Sequence, residues 1–413
     1  MPRLLFADNR GSVFVHPALK ACGMKAGRFF ALRSDDLVKL PSGSRLFMLP
    51  RRAAVGLDPD TGAFVSSRAL AVAAFLPPGY TATYNSAYME SGRPRALPLF
   101  SYAAAASFKG AFYAAGVRVD RDIRHDARLI DLVAVRDNAR AVEKRMRGNR
   151  LVPHLKGCAL VHGCPNAQNF FLGRFECPLP TSPSCNAACA GCISYQKGRL
   201  LCAAQPRIAF VPTAREVAEI AVFHIARARD PIVSFGQGCE GEPLTRARLV
   251  EESIRLIRKA TPKGVINMNT NASMPAALRR LFDAGLGSIR VSMNSCRRNY
   301  YERYYRPSGY SFGDVLASIG AAKRSGVFVS LNYLTMPGFT DCGEEFASLR
   351  SILGKRRIDM VQWRNLNYDP LRYFEEISAR IERDDMLGIK EEIALLKKEF
   401  PKLRMGYFNP VKL

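Results

Sequence analysis

The sequence predicts an α/β protein: about six strand–helix units forming a barrel or open sheet, preceded by a smaller α+β domain. Three observations carry this. From about residue 165, short apolar runs alternate with segments of helical period, the pattern of parallel strands joined by right-handed helical crossovers. Up to about residue 150, short apolar runs are cut by the turn signals PSGS (41–44), DPDTG (58–62), LPPG (76–79) and ESGRPR (90–95), and one helical pattern follows them. At 413 residues, 48% hydrophobic, the chain is long enough for two or three domains.

Taken in order, RLFML (45–49) and PLFSY (98–102) read as strands and KGAFYAAGVRV (109–119) as a glycine-punctuated strand. Residues 126–148 read as a helix with Leu129, Leu132 and Val133 roughly on one face. FFLGRFECPL (170–179) is strand-like and opens the β/α array. Residues 213–228 form an amphipathic helix; Thr213 is placed to cap it, and Glu216 three positions on completes a capping box. Further strands are expected at 231–235, 264–271, 288–295, 327–336 and 359–367. The helices between them are 244–260, 275–284 ended by Gly285, 312–325 ended by Gly326, and 344–356; a last one runs over 377–400. The expected division is an N-terminal domain (1–165), a β/α core (166–375) and a C-terminal helical extension (376–413). Six units are too few for an eight-stranded barrel. Functional residues are expected at the strands' C-terminal ends.

The 61 Lys and Arg against 36 Asp and Glu give a formal charge of +25, with 24 basic and 12 acidic side chains in residues 1–150. Such an excess suits a polyanionic partner such as RNA, acidic lipid or an acidic substrate; an Arg-rich proteome gives the same composition. Eleven cysteines, of which only Cys22 lies in the first 150 residues, suit metal binding in a reducing compartment better than a disulfide framework. The apolar run Ala69–Leu76 is too short to span a bilayer, and the first ten residues do not read as a secretory signal. A cytoplasmic protein without membrane insertion is expected.

CNAACAGC (185–192) sets Cys185, Cys189 and Cys192 in one loop. Two chemistries suit three thiolates. One is structural zinc with a fourth ligand such as Cys177, Cys202, His162 or His224. The other is a [4Fe–4S] cube, which normally takes four cysteines, left with one iron open to a substrate or cofactor. The C-x3-C-x2-C spacing, in a loop directly after the first strand of a β/α array, resembles the radical S-adenosylmethionine (SAM) superfamily. The resemblance covers about residues 170–370. It implies a partial (β/α)6 TIM-like barrel and a [4Fe–4S] cluster held by Cys185, Cys189 and Cys192. It further implies SAM chelating the fourth iron, reductive cleavage of SAM to a 5′-deoxyadenosyl radical, and an external electron donor such as flavodoxin or ferredoxin. The family usually has an aromatic residue before the third cysteine. Here it is Gly191, which leaves the adenine contact to Ile193 or Tyr195.

GQGCEG (236–241) fits the dinucleotide fingerprint G-x-G-x-x-G. Pro243 follows at once, however, and the next strand ends in Asn267, Asn269 and Asn271 with no carboxylate for a ribose. GCEGEPL resembles the family's Gly-Gly-Glu-Pro motif instead, with Glu240 in place of the first glycine. That resemblance assigns Gly241, Glu242 and Pro243 to the SAM amino group. VSMNS resembles the serine-containing fourth-strand motif, which carries Ser292 and Asn294, on one strand face by period two, to the SAM carboxylate and ribose. Asn269 and Asn271 point the same way one strand earlier.

RRNYYERYYRPSGYS (297–311) interleaves four arginines with five tyrosines, a mixture suited to nucleic acid. It is also similar to a scaffold helix and glycine turn of the family, which is the preferred reading. Tyr333, Arg364 and Asn367 lie on late strands where they could face a cavity, and Cys158, Cys164, Cys177 and Cys202 raise an auxiliary cluster. The substrate is unidentified, with RNA and a peptide or protein both open. The alternative of another class is a non-enzymatic iron–sulfur or zinc-stabilised nucleic-acid binder.

Overall fold

The structure is a computed structural model and describes residues 1–196 and 201–413. Seven strands form one wholly parallel sheet: Glu176–Pro178, Ile232–Phe235, Val265–Thr270, Ser288–Met293, Phe328–Thr335, Met360–Asn365 and Arg404–Gly406. Each pairs with the next in sequence order. Crossovers that always return beside the preceding strand wind the sheet one way, as a barrel does. The first and last strands do not pair among the described residues, so the barrel is open.

Helices Ala214–Arg227, Ala247–Ala260, Pro275–Ala284, Phe312–Arg324 and Gly343–Arg356 connect the strands. The first begins at the expected capping box: Glu216 N–H donates to Thr213 Oγ1 (3.2 Å), and Thr213 N–H to Glu216 Oε2 (2.7 Å). Gly285, at φ +113°, ends the third in the left-handed region that disfavours a Cβ.

Alternation along the strands separates two chemistries. Val233, Phe235, Ile266, Met268, Ile289, Val291, Val329, Leu331, Val361 and Trp363 are fully buried in the core shared with the helices. The opposite face is polar. Ser234, Asn267 and Ser288 lie in register across three strands, as do Ser292, Asn332 and Gln362 across the fourth to sixth. These polar groups satisfy one another, as buried polar groups must: Ser288 Oγ donates to Asn267 Oδ1 (2.7 Å), and Asn267 Nδ2 to Ser234 Oγ (3.2 Å).

Three local expectations are corrected. Residues 170–175 are not strand: Pro165–Phe171 is a helix, started by a proline whose missing N–H costs nothing in the first turn, and Phe170 and Phe171 are both fully buried. PLFSY is not strand either; the strand starts at Ala103, and Phe100 N–H turns back to Pro98 O (2.8 Å) rather than joining a ladder. Residues 377–400 are not one helix. The chain turns at Ser378 (φ +52°), re-enters a helix at Ile389–Glu399 and adds the seventh strand.

Residues 3–118 form an eleven-stranded antiparallel sheet. Alanines 71, 73, 74 and 103–106 are buried in it, and small side chains let its layers approach closely. Helices Leu132–Arg145, Leu151–Leu160 and Pro165–Phe171 follow and share their core with the parallel sheet. The antiparallel sheet is fastened to the barrel by buried ion pairs, Lys25–Asp341 (2.9 Å) and Arg52–Asp369 (2.9 Å). Thr81 Oγ1 also donates to Trp363 O (2.8 Å), and Ala82 N–H to Asn365 Oδ1 (2.7 Å). No helix of the described residues is long and apolar enough to cross a membrane.

Candidate cluster and cofactor site

The cysteine loop leaves the C-terminal end of the first strand and is held from three sides. From the helix Arg298–Tyr305, the carbonyls of Tyr305 and Tyr304 accept from Ala188 N–H (3.0 Å) and Ala190 N–H (2.9 Å), and Ser308 N–H donates to Asn186 O (2.9 Å). From the end of the third strand, Asn271 Nδ2 donates to Asn186 Oδ1 (2.8 Å), and Asn186 Nδ2 to Ser273 Oγ (3.0 Å). From the glycine turn, Gly241 N–H donates to Ser182 O (2.7 Å) and Glu242 N–H to Ser184 O (2.9 Å). The approach at Gly241 is so close that a Cβ there would lie 2.0 Å from the Ser184 carbonyl oxygen. Cysteine loop and Gly-Glu-Pro turn are therefore one packed unit.

Glu242 is buried, and its carboxylate accepts from Thr270 Oγ1 (2.6 Å), Asn271 N–H (2.8 Å) and Leu244 N–H (3.2 Å). Pro243 opens the short 3-10 turn that Glu242 caps. Glu240, the departure from the double-glycine motif, accepts from Thr181 N–H (2.7 Å), Thr181 Oγ1 (3.0 Å), Ser182 N–H (3.0 Å) and Gly236 N–H. It thus splices the second strand's turn to the first strand's end. Burial pushes both glutamates up to about 7 against donors that favour their ionised forms.

The three thiols are half-buried. Burial pushes Cys185 up to about 11, with the Glu242 carboxylate adding to it. Burial pushes Cys189 well above its usual value, with Cys192 and Cys185 adding to that. Arg207 was not singled out in the sequence, because no motif marks it. Its Nη2 stands 3.6 Å from Cys192 Sγ and its Nε donates to Ser194 Oγ (3.2 Å); the guanidinium lies 5.3 Å from the centre of the Tyr195 ring. At Gly191, a Cβ would stand 2.6 Å from the Tyr304 hydroxyl and 3.4 Å from Tyr368 Cδ2. Two tyrosines from other elements fill the space an aromatic at 191 would need. Ile193 packs on the glycine turn instead, with its Cδ1 only 2.4 Å from where a Cβ on Gly238 would be.

Asn269 is buried; its Oδ1 accepts from Asn267 Nδ2 (3.0 Å), and its Nδ2 has no partner. Ser292 is half-buried, opposite Asn332, whose Oδ1 is also without a partner. Asn294 is fully buried past the strand's end. Its Nδ2 donates to Tyr300 O (3.3 Å) and the Tyr373 hydroxyl (3.2 Å), while its Oδ1 is unpartnered. Tyr333 does not face the interior: its hydroxyl donates to Glu345 Oε1 (2.9 Å) in the helix layer. Arg364 donates to Tyr407 O (3.0 Å). In the 297–311 stretch, Tyr301, Tyr304 and Tyr305 are buried. Its four arginines are engaged with Glu344 and Glu345 (Arg297), Glu302 (Arg298), Ile377 O (Arg303) and Glu376 (Arg306).

Residues 179–349 match the family model described as the radical SAM superfamily. The chain carries a radical SAM domain. The superfamily's enzymes use a [4Fe–4S] cluster and SAM and need an electron donor. Among solved structures, the chain is similar to AdoMet-bound anSMEcpe at 16% identity, covering 47% of this chain and 52% of that one, with a TM-score of 0.37. It is similar to the FeFe-hydrogenase maturase HydG from Carboxydothermus hydrogenoformans at 15% identity, 66% and 70% coverage and a TM-score of 0.39. It is similar to methylornithine synthase PylB at 17% identity, 65% and 76% coverage and a TM-score of 0.38. The chain spans about half the length of anSMEcpe. No curated protein matches it.

The donor set of the radical SAM domain fits a cube better than a single ion. Zinc with Zn–S of about 2.3 Å in a tetrahedron needs sulfurs about 3.8 Å apart. Among the described residues, the only three metal-ligating side chains whose donor atoms all lie within 4.8 Å are His154, Cys158 and Cys239, so the loop thiols are more widely spread. The fourth zinc ligands weighed from the sequence are not brought in. Cys202 is exposed, Cys177 is buried in the first strand, and His224 is bonded to Phe175 O (3.0 Å).

Proposed function

We propose that the chain is a radical SAM enzyme in which Cys185, Cys189 and Cys192 ligate three irons of a [4Fe–4S] cluster. The observation that carries this is the packed unit itself: a three-thiol loop to which no fourth donor is brought among the described residues, hydrogen-bonded through Ser182 and Ser184 to the turn Gly241–Glu242–Pro243, inside a segment that matches the family model. When bound, the cluster supplies the electron that cleaves SAM to a 5′-deoxyadenosyl radical.

The chain's own residues hold and orient the nucleotide. The Gly241–Pro243 turn offers carbonyl acceptors to the SAM ammonium, which carries only donors. Glu242 fixes that turn to Thr270 and Asn271. Asn269 Nδ2 and Asn294 Oδ1 are unpartnered buried groups available to the polar groups of SAM, and Ser292, on the fourth strand, stands two residues before Asn294. Arg207 lies against Cys192, its Nη2 3.6 Å from the Sγ. The proposed setting is a reducing cytoplasm, with flavodoxin or ferredoxin as reductant.

For the substrate, Tyr301, Tyr304 and Tyr305 of 297–311 are buried and its arginines are held by carboxylates or a carbonyl, which weakens that stretch as a base-stacking surface and tips the reading toward a peptide or protein over RNA. Anaerobic reconstitution followed by assay of 5′-deoxyadenosine tests the chemistry; a reconstituted protein that forms none refutes it. RNA affinity that is high and falls steeply with salt would reverse the substrate preference.

A further inference from the structure

A second group of metal donors lies away from the cysteine loop. His154 and Cys158 are four residues apart on the helix Leu151–Leu160, hence on one face. Cys239 sits in the glycine turn after the second strand. The donor atoms of His154, Cys158 and Cys239 all lie within 4.8 Å of one another, and His154 Nε2 is 3.7 Å from Cys158 Sγ. Two ligands of one tetrahedral zinc, with Zn–N of about 2.0 Å and Zn–S of about 2.3 Å, stand about 3.6 Å apart. The spacing already suits an ion at the centre.

We propose that His154, Cys158 and Cys239 form a mononuclear zinc site distinct from the iron–sulfur loop. Two thiolates and one imidazole in a tetrahedral array select zinc among common divalent ions. They are also too close-set for donors spread around a cube. Cys158 and Cys239 are buried, whereas His154 is half-buried and gives the ion a route from solvent. Cys164 is tied to the same helix through its backbone, its N–H donating to Cys158 O (2.9 Å), but its thiol is not in the group of three, so the fourth position falls to water. Binding releases the two thiol protons to solvent and changes no oxidation state.

The site would tie two pieces of chain that the sequence separates by some eighty residues. One is a helix ahead of the radical SAM domain. The other is the turn that carries Glu240, whose carboxylate accepts from Ser182 N–H just ahead of the cysteine loop, and Glu242, whose carboxylate accepts from Asn271 N–H after the third strand. Zinc there would set the position of the cofactor turn without touching the cofactor. The proposal does not depend on radical chemistry.

The test is made on the full chain carrying C185A, C189A and C192A, which removes the iron ligands. Grown with zinc, this protein is expected to hold about one equivalent of the metal, and adding C158S and C239S should abolish it. Cobalt(II) loaded into the three-alanine variant should give thiolate-to-metal charge-transfer absorption and intense tetrahedral visible bands, a signature that survives even if the five-fold variant folds poorly. H154N should weaken those bands. Absence of zinc from the three-alanine variant, a cobalt spectrum without thiolate character, or a Cys158–Cys239 disulfide in a peptide map would each overturn the proposal.

Discussion

At single residues, the site depends on side chains that are missing as much as on those present. Gly241 has no room for a Cβ beside Ser184 O, and the obstacle is backbone, which cannot swing aside. Gly241→Ala should therefore displace the cysteine loop and cut 5′-deoxyadenosine formation on the order of 100-fold, the usual cost of a misplacement near 1 Å. Single-turnover assay with parallel iron analysis would check it. Gly191 is different, because its obstacle is a hydroxyl at the tip of Tyr304. Gly191→Ala should lower cluster occupancy, and adding Tyr304→Phe should restore it; no rescue would show that the glycine serves something else. His224 is buried with its ring bonded to Phe175 O, and burial pushes it down to about 4. The folded state therefore binds fewer protons than the unfolded one, in which histidine titrates near 6.5. Its contribution to stability is complete above about pH 6.5 and is lost as pH falls toward 4, by up to about 3 kcal/mol. His125, pushed down to about 4 by burial, acts in the same window. Urea midpoints measured against pH should fall across it, and less steeply in His224→Gln.

At the level of elements, loops rather than strands carry the three cysteines and the Gly241–Pro243 turn, and the cysteine loop is strapped by amides. Asn186 in the cysteine loop and Asn271 after the third strand hydrogen-bond across the site (2.8 Å). Asn271→Ala removes one such bond, a loss of about 1 kcal/mol. It should leave global unfolding nearly unchanged while speeding loss of iron to a chelator, because a local opening is all that chelation needs. Equal chelation rates in both proteins would refute that role. The Asn186 contact was not legible in the sequence, since nothing in CNAACAGC shows which strand the loop will meet. The capping box at Thr213 was legible, because Thr-x-x-Glu before an apolar helix closes on itself within one turn.

Across the whole molecule, the antiparallel sheet is clamped onto the barrel by buried polar groups. Asp369, buried to 1% exposure, collects Arg52 (2.9 Å), Leu97 N–H (2.9 Å) and the Tyr88 hydroxyl (3.4 Å) from that sheet. Removing Arg52 leaves the buried Asp369 charge without its cation, at a cost of about 3–5 kcal/mol, whereas Arg52 without Asp369 keeps Glu90 at 3.0 Å. Arg52→Ala should lower the urea midpoint accordingly, and Asp369→Ala by less. Arg52→Met with Asp369→Leu should recover much of it, because the double change strands no charge. A double variant as unstable as the single ones would show that geometry, not charge, governs the joint.

The alternation of apolar runs and helices was enough to find six of the seven parallel strands, because strands buried between helices must be apolar on one face wherever the chain goes next. The three cysteines and the Gly-Glu-Pro turn stood out for the same local reason: their chemistry is concentrated in a few adjacent residues. The seventh strand, the helix over Pro165–Phe171, the antiparallel character of the first 118 residues and the roles of Arg207 and Tyr304 were set by partners far along the chain. So was the meeting of His154 and Cys158 with Cys239. A side chain's type is a local property, whereas the group that will stand 3 or 4 Å from it is decided only when the whole chain has packed.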